Sequence, residues 1–366
     1  MGEWEFAARH HLTASDAQTL TIAELLAMAD PQERAEFEEL PLSYTPTWGT
    51  PALLDAIADT YLGLGPKHVL TFAGAEEAMF WALQELVGPG EHAVVTVPNY
   101  QSMESLTIAT GADVDGLIVD PGDDWALDLE TLTRLLRPTT RLVCINFPNN
   151  PTGALPDPHT FKQLVQLCDE RGIRLFSDEV YRGLELDRAA MLPQAAELSP
   201  SAISLNVMSK SYGLPGLRIG WLATRDRKLL ERLERRKHYT SIANAAPSEL
   251  LATIALKHRD TIQARNREII AANVPVLDAF FAQRADRFEW SPPQGGCVCF
   301  PRLKTGEDAG PFCRELVREA GVLLLPAEIY ASRLGEVPRD RFRIGVGRHG
   351  LADALDAFDG FLSAVR

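Results

Sequence analysis

The sequence predicts an α/β protein: a large domain with a mostly parallel central sheet between helices, joined to a smaller α+β domain. Three observations carry this. From about residue 66, short apolar runs alternate with helical stretches, the pattern of a parallel sheet covered on both faces. A block rich in helix formers follows, over residues 227 to 285. Beyond it lie further short strands and two amphipathic helices. A chain of 366 residues exceeds what one compact core usually organises, so two units are expected.

The elements follow in order. Residues 1–43 are mostly helical in pattern and are expected to return to pack with the smaller domain. Residues 44–270 form the large domain and 271–366 the small one. "HVLTF" and "HAVVTV" read as buried strands, with helical "AEEAMFWALQELV" between them. "DVDGLIV" and "TRLVCINF" are strands separated by helical "DLETLTRLLR". "HTFKQLVQLCDERG" is an amphipathic helix ending on Gly172. The strands "IRLFSDEVY", "AISLNVMS" and "LRIGWLAT" complete the sheet. In the smaller domain, "GGCVCFPRL", "VLLLPAEIY" and "RFRIGVGR" are strands, and "AGPFCRELVREAG" and "LADALDAFDGFLSAV" are helices.

Composition excludes several classes. A net charge of −14 disfavours nonspecific nucleic-acid binding. There is no apolar run long enough for a spanning helix. The opening "MGEWEFAARHHLTASD" lacks the apolar run of a secretory signal. The five cysteines are odd in number and scattered through apolar segments, as buried thiols in a reducing cytoplasm would be. "GGCVCF" alternates like a strand and has no partner spacing for a metal. The eight histidines have no ligand or triad spacing. "LGLGPKH" and "LVGPGEH" are turns, not dinucleotide fingerprints, which argues against a nicotinamide oxidoreductase.

The informative stretch is "VMSKSYGLPGLRIG", residues 207 to 220. A lone lysine, Lys210, ends an apolar run, and Arg218 follows eight residues on. Other polar clusters also follow strands: "GAEEA", "PNY", "PNNPTG" and "SDEVY". Parallel strands would bring all of them to one sheet edge, where ligands bind in such folds. A desolvated lysine suits Schiff-base chemistry with an aldehyde. A helix opening on "GAE" offers free N–H groups to a phosphate, and an arginine can clamp the same phosphate. Aldehyde, phosphate and an acid for a protonated ring nitrogen together describe pyridoxal 5′-phosphate (PLP).

From about Tyr44 to the C-terminus the chain resembles the fold-type I PLP-dependent aminotransferases of class I/II, the aspartate aminotransferase superfamily. The resemblance rests on "YTPTWG", "GAEEA", "PNY", "NNPTG", "SDEVY", "SKSYGLPGLRIG" and "RFRIGVG" in that order. It implies that Lys210 forms the Schiff base and shuttles a proton, and that Asp178 faces the pyridine nitrogen. Tyr181 and Asn150 resemble the donors to the phenolic oxygen, and Tyr100 the ring stacked on the cofactor. Gly74, Ala75 and Glu76 resemble the phosphate cup through their backbone N–H groups, with Ser209 and Arg218 as side-chain partners. Tyr44 resembles the tyrosine that reaches the phosphate of a neighbouring subunit, which implies a homodimer with shared sites. Arg343, assisted by Asn150, resembles the clamp on the substrate α-carboxylate. Strand alternation puts Arg341 on the same face as Arg343, and only the resemblance favours Arg343. Glu179 points away from Asp178 on the same alternation and reads as structural.

The resemblance implies transamination between an L-amino acid and a 2-oxo acid in a cytoplasmic enzyme. The alternative keeps PLP but changes the outcome to elimination, cyclisation or oxidation. The "EWEF" opening and "LTIAELLAM" loosely resemble capreomycidine synthase-like members, which act on an arginine-derived substrate. A PLP-binding transcription regulator is disfavoured: the region before Tyr44 is too short for a winged DNA-binding domain, and the charge is wrong. Two departures stand out. Val207 occupies a position where many relatives carry a phosphate-binding hydroxyl, and no match exists for the second arginine of dicarboxylate-specific relatives.

Overall fold

The computed structural model describes residues 4–5 and 7–364. Glu3 and Phe6 of the "EWEF" opening lie outside the described residues. The chain begins with a two-residue strand, β1 (His10–His11), and two short helices, α1 (Ile22–Met28) and α2 (Pro31–Glu38). Both helices start on capping boxes, Thr21 with Glu24 and Asp30 with Glu33, which satisfy N–H groups that no helical carbonyl can reach. Helix α3 (Pro51–Ala58) then leads into the sheet.

The sheet contains β2 (Val69–Phe72), β3 (His92–Val97), β4 (Asp113–Ile118), β5 (Thr140–Asn146), β6 (Arg174–Asp178), β7 (Ile203–Val207) and β8 (Gly220–Ala223). Their order is β2-β8-β7-β6-β5-β3-β4. Only β8 runs against its neighbours, so β2, β3, β5, β6 and β7 all end on one edge and β8 begins there. The intervening helices are α4 (Ala75–Leu86), α5 (Gln101–Ala109), α6 (Leu129–Leu135), α7 (Pro158–Glu170) and the short α8 (Ala195–Leu198). Alternation sorts the core: Ala93, Val95, Leu142 and Cys144 meet Met79 and Leu83 of α4, while Val94, Val143 and Ile145 meet Phe161 and Leu164 of α7. Helix α5 carries no clear helical signal in the sequence. Its glutamine, serines, glutamate and threonine blur the apolar stripe, yet a parallel crossover from β3 to β4 requires an element there.

Helices α9 (Arg227–Lys237), α10 (Ala246–Lys257) and the 24-residue α11 (Arg259–Ala282) form the connection out of the sheet. Helix α11 runs straight across residue 270, the boundary expected from the sequence. The smaller unit contains β9 (Phe288–Glu289), β10 (Val298–Cys299), β11 (Arg302–Leu303), α12 (Ala309–Ala320), β12 (Val322–Leu323), β13 (Leu325–Pro326), β14 (Phe342–Gly345) and α13 (Leu351–Ala364). Strands β10, β14 and β13 make its antiparallel sheet.

The N-terminal segment divides its packing. Strand β1 pairs in parallel with β12 of the smaller unit. Leu25 of α1 and Ala29, its C-cap, instead join the cluster of Leu53, Ile57 and Leu251, against α3 and α10. Residues 13–18 link these two attachments and cross the C-terminal edge of the sheet. All five cysteines are buried and unpaired. Among the described residues no helix is long and apolar enough to cross a membrane, and no cluster of metal-ligating side chains occurs.

Candidate active site

A cavity of about 250 Å³ opens at the sheet edge where these strands end. Asp178, Lys210, Ser209, Tyr100, Asn150 and Arg218 are among the residues that line it. Asp178 is the last residue of β6 and is 3% exposed. Burial pushes its carboxyl up to about 7, against the opposing pull of the Val180 N–H and Lys210. Glu179 turns the other way, accepting from the Ala195 N–H at 2.8 Å and the Ser204 hydroxyl at 2.9 Å.

Lys210 follows β7. Burial lowers the pKa of its amine, and its Nζ donates to Ser15 Oγ at 2.8 Å. Arg218 stands just before β8 in a left-handed conformation, φ 51°. Its guanidinium faces the start of α4, where Gly74 has φ 94° and no side chain caps the helix. A Cβ on Gly74 would lie 2.5 Å from Arg218 Nη2, and one on Gly220 would lie 2.6 Å from the Gly74 carbonyl carbon. The backbone here is therefore open to a group that needs N–H donors and one arginine. Ala75 and Glu76 form the first turn. Tyr100, 43% exposed, guards the mouth; burial raises its pKa, and the nearby Glu76 carboxylate adds to the rise.

Arg343, on β14, is buried. Its Nη1 donates to Asn150 Oδ1 at 3.0 Å and to the Tyr330 hydroxyl at 2.5 Å, and its Nη2 donates to the Thr13 carbonyl at 2.5 Å. The Tyr330 hydroxyl also donates to Asn150 Oδ1, at 3.0 Å. Arg341 diverges, with Nη1 on the Phe300 carbonyl and its guanidinium 5.0 Å from the Trp125 ring centre. The tertiary structure thus separates two arginines that strand alternation leaves equivalent. Tyr181 is buried and its hydroxyl donates to the Ser15 carbonyl at 2.9 Å. Tyr44 lies away from the cavity lining and is 86% exposed.

Sequence reasoning missed Ser15, Thr13 and Tyr330. Nothing in "LTASDAQ" or "AEIY" marks them, because their partners lie far along the chain. The donor set fits PLP: an amine for the aldehyde, a buried carboxyl for the ring nitrogen, and an uncapped helix start with an arginine for the phosphate.

The sequence model for aminotransferase class I and II matches residues 15–357. The chain belongs to this family. The family and its relatives are PLP-dependent, and PLP is the cofactor. Capreomycidine synthase of Streptomyces vinaceus is 32% identical over 344 residues, 93% of this chain and 86% of that protein. A PLP-dependent aminotransferase from Streptococcus suis superposes with a TM-score of 0.91 at 30% identity, covering 99% of this chain and 96% of the other. The PLP-dependent cyclase OrfR superposes with a TM-score of 0.90 at 26% identity, covering 100% and 97%. The α/β fold with a mostly parallel central sheet, expected from the strand pattern, is the fold of these relatives.

Proposed function

We propose that the protein is an aminotransferase that moves the α-amino group of an L-amino acid to a 2-oxo acid. One observation carries this reading: the Lys210 amine, the buried Asp178 carboxyl and Arg218 with the first turn of α4 line one cavity, Gly74 lies against Arg218 behind that lining, and Asn150 bridges to Arg343. Bound there, PLP supplies a carbonyl for the amino group and a ring that takes up the electron pair left at Cα. Arg343, held by Asn150 and Tyr330, receives the substrate carboxylate through its guanidinium. Burial keeps the Lys210 amine less basic than a surface lysine, so with PLP bound Nζ would be suited to take the Cα proton and pass it to the cofactor's aldehyde carbon within the same half-reaction. Asp178 gains a cation opposite it when the ring nitrogen is protonated, which offsets its desolvation. Arg218, Ser209 and the N–H groups of Ala75 and Glu76 would hold the phosphate; the Gly74 N–H, expected to join them, donates to the Phe72 carbonyl at 2.8 Å. Tyr100 would cover the cofactor face, and Asn150 and Tyr181 would donate to the phenolic oxygen, Tyr181 by giving up its bond to the Ser15 carbonyl. Tyr44 and Tyr239, each 86% exposed, are surfaces that a second copy would cover, and Tyr44 would then reach its partner's phosphate.

A second reading is a PLP-dependent cyclase on an arginine-derived substrate. It is favoured by the capreomycidine synthase match, which is 32% identical to this chain, against 25%, 27% and 26% for three aspartate aminotransferase relatives. The two readings share the residue roles up to removal of the Cα proton and part after it. Loading with PLP and presenting a panel of amino acids that includes arginine separates them. Release of the matching oxo acid, with loss of the PLP absorption band, supports transamination. A cyclised product or ammonia with the band restored supports the cyclase.

A further inference from the structure

Residues 13–18 form a strap between the sheet edge and the smaller unit. The Ala17 N–H donates to the Lys210 carbonyl at 3.4 Å and the Gln18 N–H to the Gly347 carbonyl at 2.7 Å. Arg348 grips the Asp16 carboxylate through two bonds, at 3.0 and 2.7 Å. Glycines press on the strap from both sides. A Cβ on Gly213 would lie 2.7 Å from the Gln18 carbonyl oxygen, and one on Gly347 would lie 2.7 Å from that of Asp16. A Cβ on Gly345 would overlap the Ala14 carbonyl oxygen. The strap is therefore fixed in place, and with it the direction of the Ser15 side chain.

We propose that Ser15 is a positioning residue for Lys210: its hydroxyl oxygen holds the Nζ amine whenever that amine is free and the cofactor is bonded elsewhere. The inference rests on Lys210 being the cofactor lysine. A free lysine amine on four rotatable bonds has many directions available, and proton transfer at Cα needs one of them. Few partners are open to it. Nζ lies 5.8 Å from the Tyr181 ring centre and makes no bond to that hydroxyl, which turns to the Ser15 carbonyl, and Asp16 is engaged by Arg348. Asp178 faces the ring-nitrogen side, Arg343 carries like charge, and Cys297 is a buried thiol. Among the described residues, Ser15 Oγ, at 2.8 Å, is the acceptor that Nζ meets. Because it accepts from Nζ, it favours the ammonium form and offsets part of the desolvation that lowers the amine's basicity.

The test uses full-length protein carrying 13C at the lysine ε-carbons and loaded with pyridoxamine 5′-phosphate, which leaves the lysine amine free. The Lys210 resonance is assigned by its loss in Lys210→Arg and then titrated with pH. Removing an acceptor from an ammonium group in Ser15→Ala should lower the midpoint by about one unit. Ser15→Thr, which keeps the oxygen, should restore it. A Ser15→Ala midpoint within ~0.2 unit of the parent, in protein that melts as the parent does and retains the ligand, overturns the role. If the parent protein retains no pyridoxamine 5′-phosphate, the cofactor reading itself fails and the role falls with it.

Discussion

Replacing Gly74 by alanine probes the phosphate cradle at its tightest point. Gly74 has φ 94° and ψ 173°, a region that side chains other than glycine enter at a cost of about 1–3 kcal/mol. The added methyl would also lie 2.5 Å from Arg218 Nη2, so the guanidinium must move. Arg218 makes one other hydrogen bond, at 3.3 Å to the Pro215 carbonyl, and is not locked against that movement. A displaced arginine loses a charge-assisted bond to the phosphate, about 1.5–3 kcal/mol. The backbone strain falls on cofactor-free and loaded protein alike, whereas the lost bond falls on binding alone. PLP affinity should therefore drop by roughly 10- to 150-fold, while the cofactor-free protein loses about 1–3 kcal/mol of stability. PLP titration followed by absorbance gives the first quantity, and urea denaturation without PLP the second. An affinity within about threefold of the parent, less than 1 kcal/mol, would refute the cradle assignment.

Three further outcomes are expected. Asp178→Asn should stabilise the cofactor-free protein in alkaline solution. Burial holds the folded carboxyl at about 7, above the ordinary 3.8 of an aspartate, so its contribution to stability is present in acid and is lost as pH rises through that window. The variant should gain a few kcal/mol at pH 8 and little at pH 4 in urea melts, with loss of activity; equal stability at pH 8 would contradict the burial argument. Arg343→Lys keeps the charge but loses the fork, so KM for the amino acid should rise about 10- to 100-fold while PLP affinity holds; steady-state kinetics alongside PLP titration checks both. Tyr44→Phe should leave a dimer in sedimentation but weaken PLP binding about tenfold, the value of one hydrogen bond to a charged group; a monomeric parent, or unchanged PLP affinity in the variant, would count against the shared site.

Much of the molecule is legible in the sequence because its signals are local. Strands buried on both faces must be apolar throughout, so "HAVVTV" and "TRLVCINF" announce themselves. Lys210, Asp178 and Arg218 stand out because polar residues that end apolar strands need a chemical reason to be there. Helix α5 escapes because its polar residues hide the stripe. The two-residue β1 escapes because its only signal is the distant partner β12. The same limit hides Ser15, which lies 195 residues from Lys210 in the chain and 2.8 Å from it in space. Alternation puts Arg341 and Arg343 on one face, but β14 starts at Phe342 and the neighbours each arginine meets distinguish them. The sequence by itself determined the fold class, the cofactor chemistry and the residues at the strand ends, since apolar periodicity and strand-end polarity are properties of adjacent residues. The tertiary structure decided which arginine joins Asn150, where the Tyr181 hydroxyl points and what holds the free lysine, since those depend on where remote backbone segments are brought together.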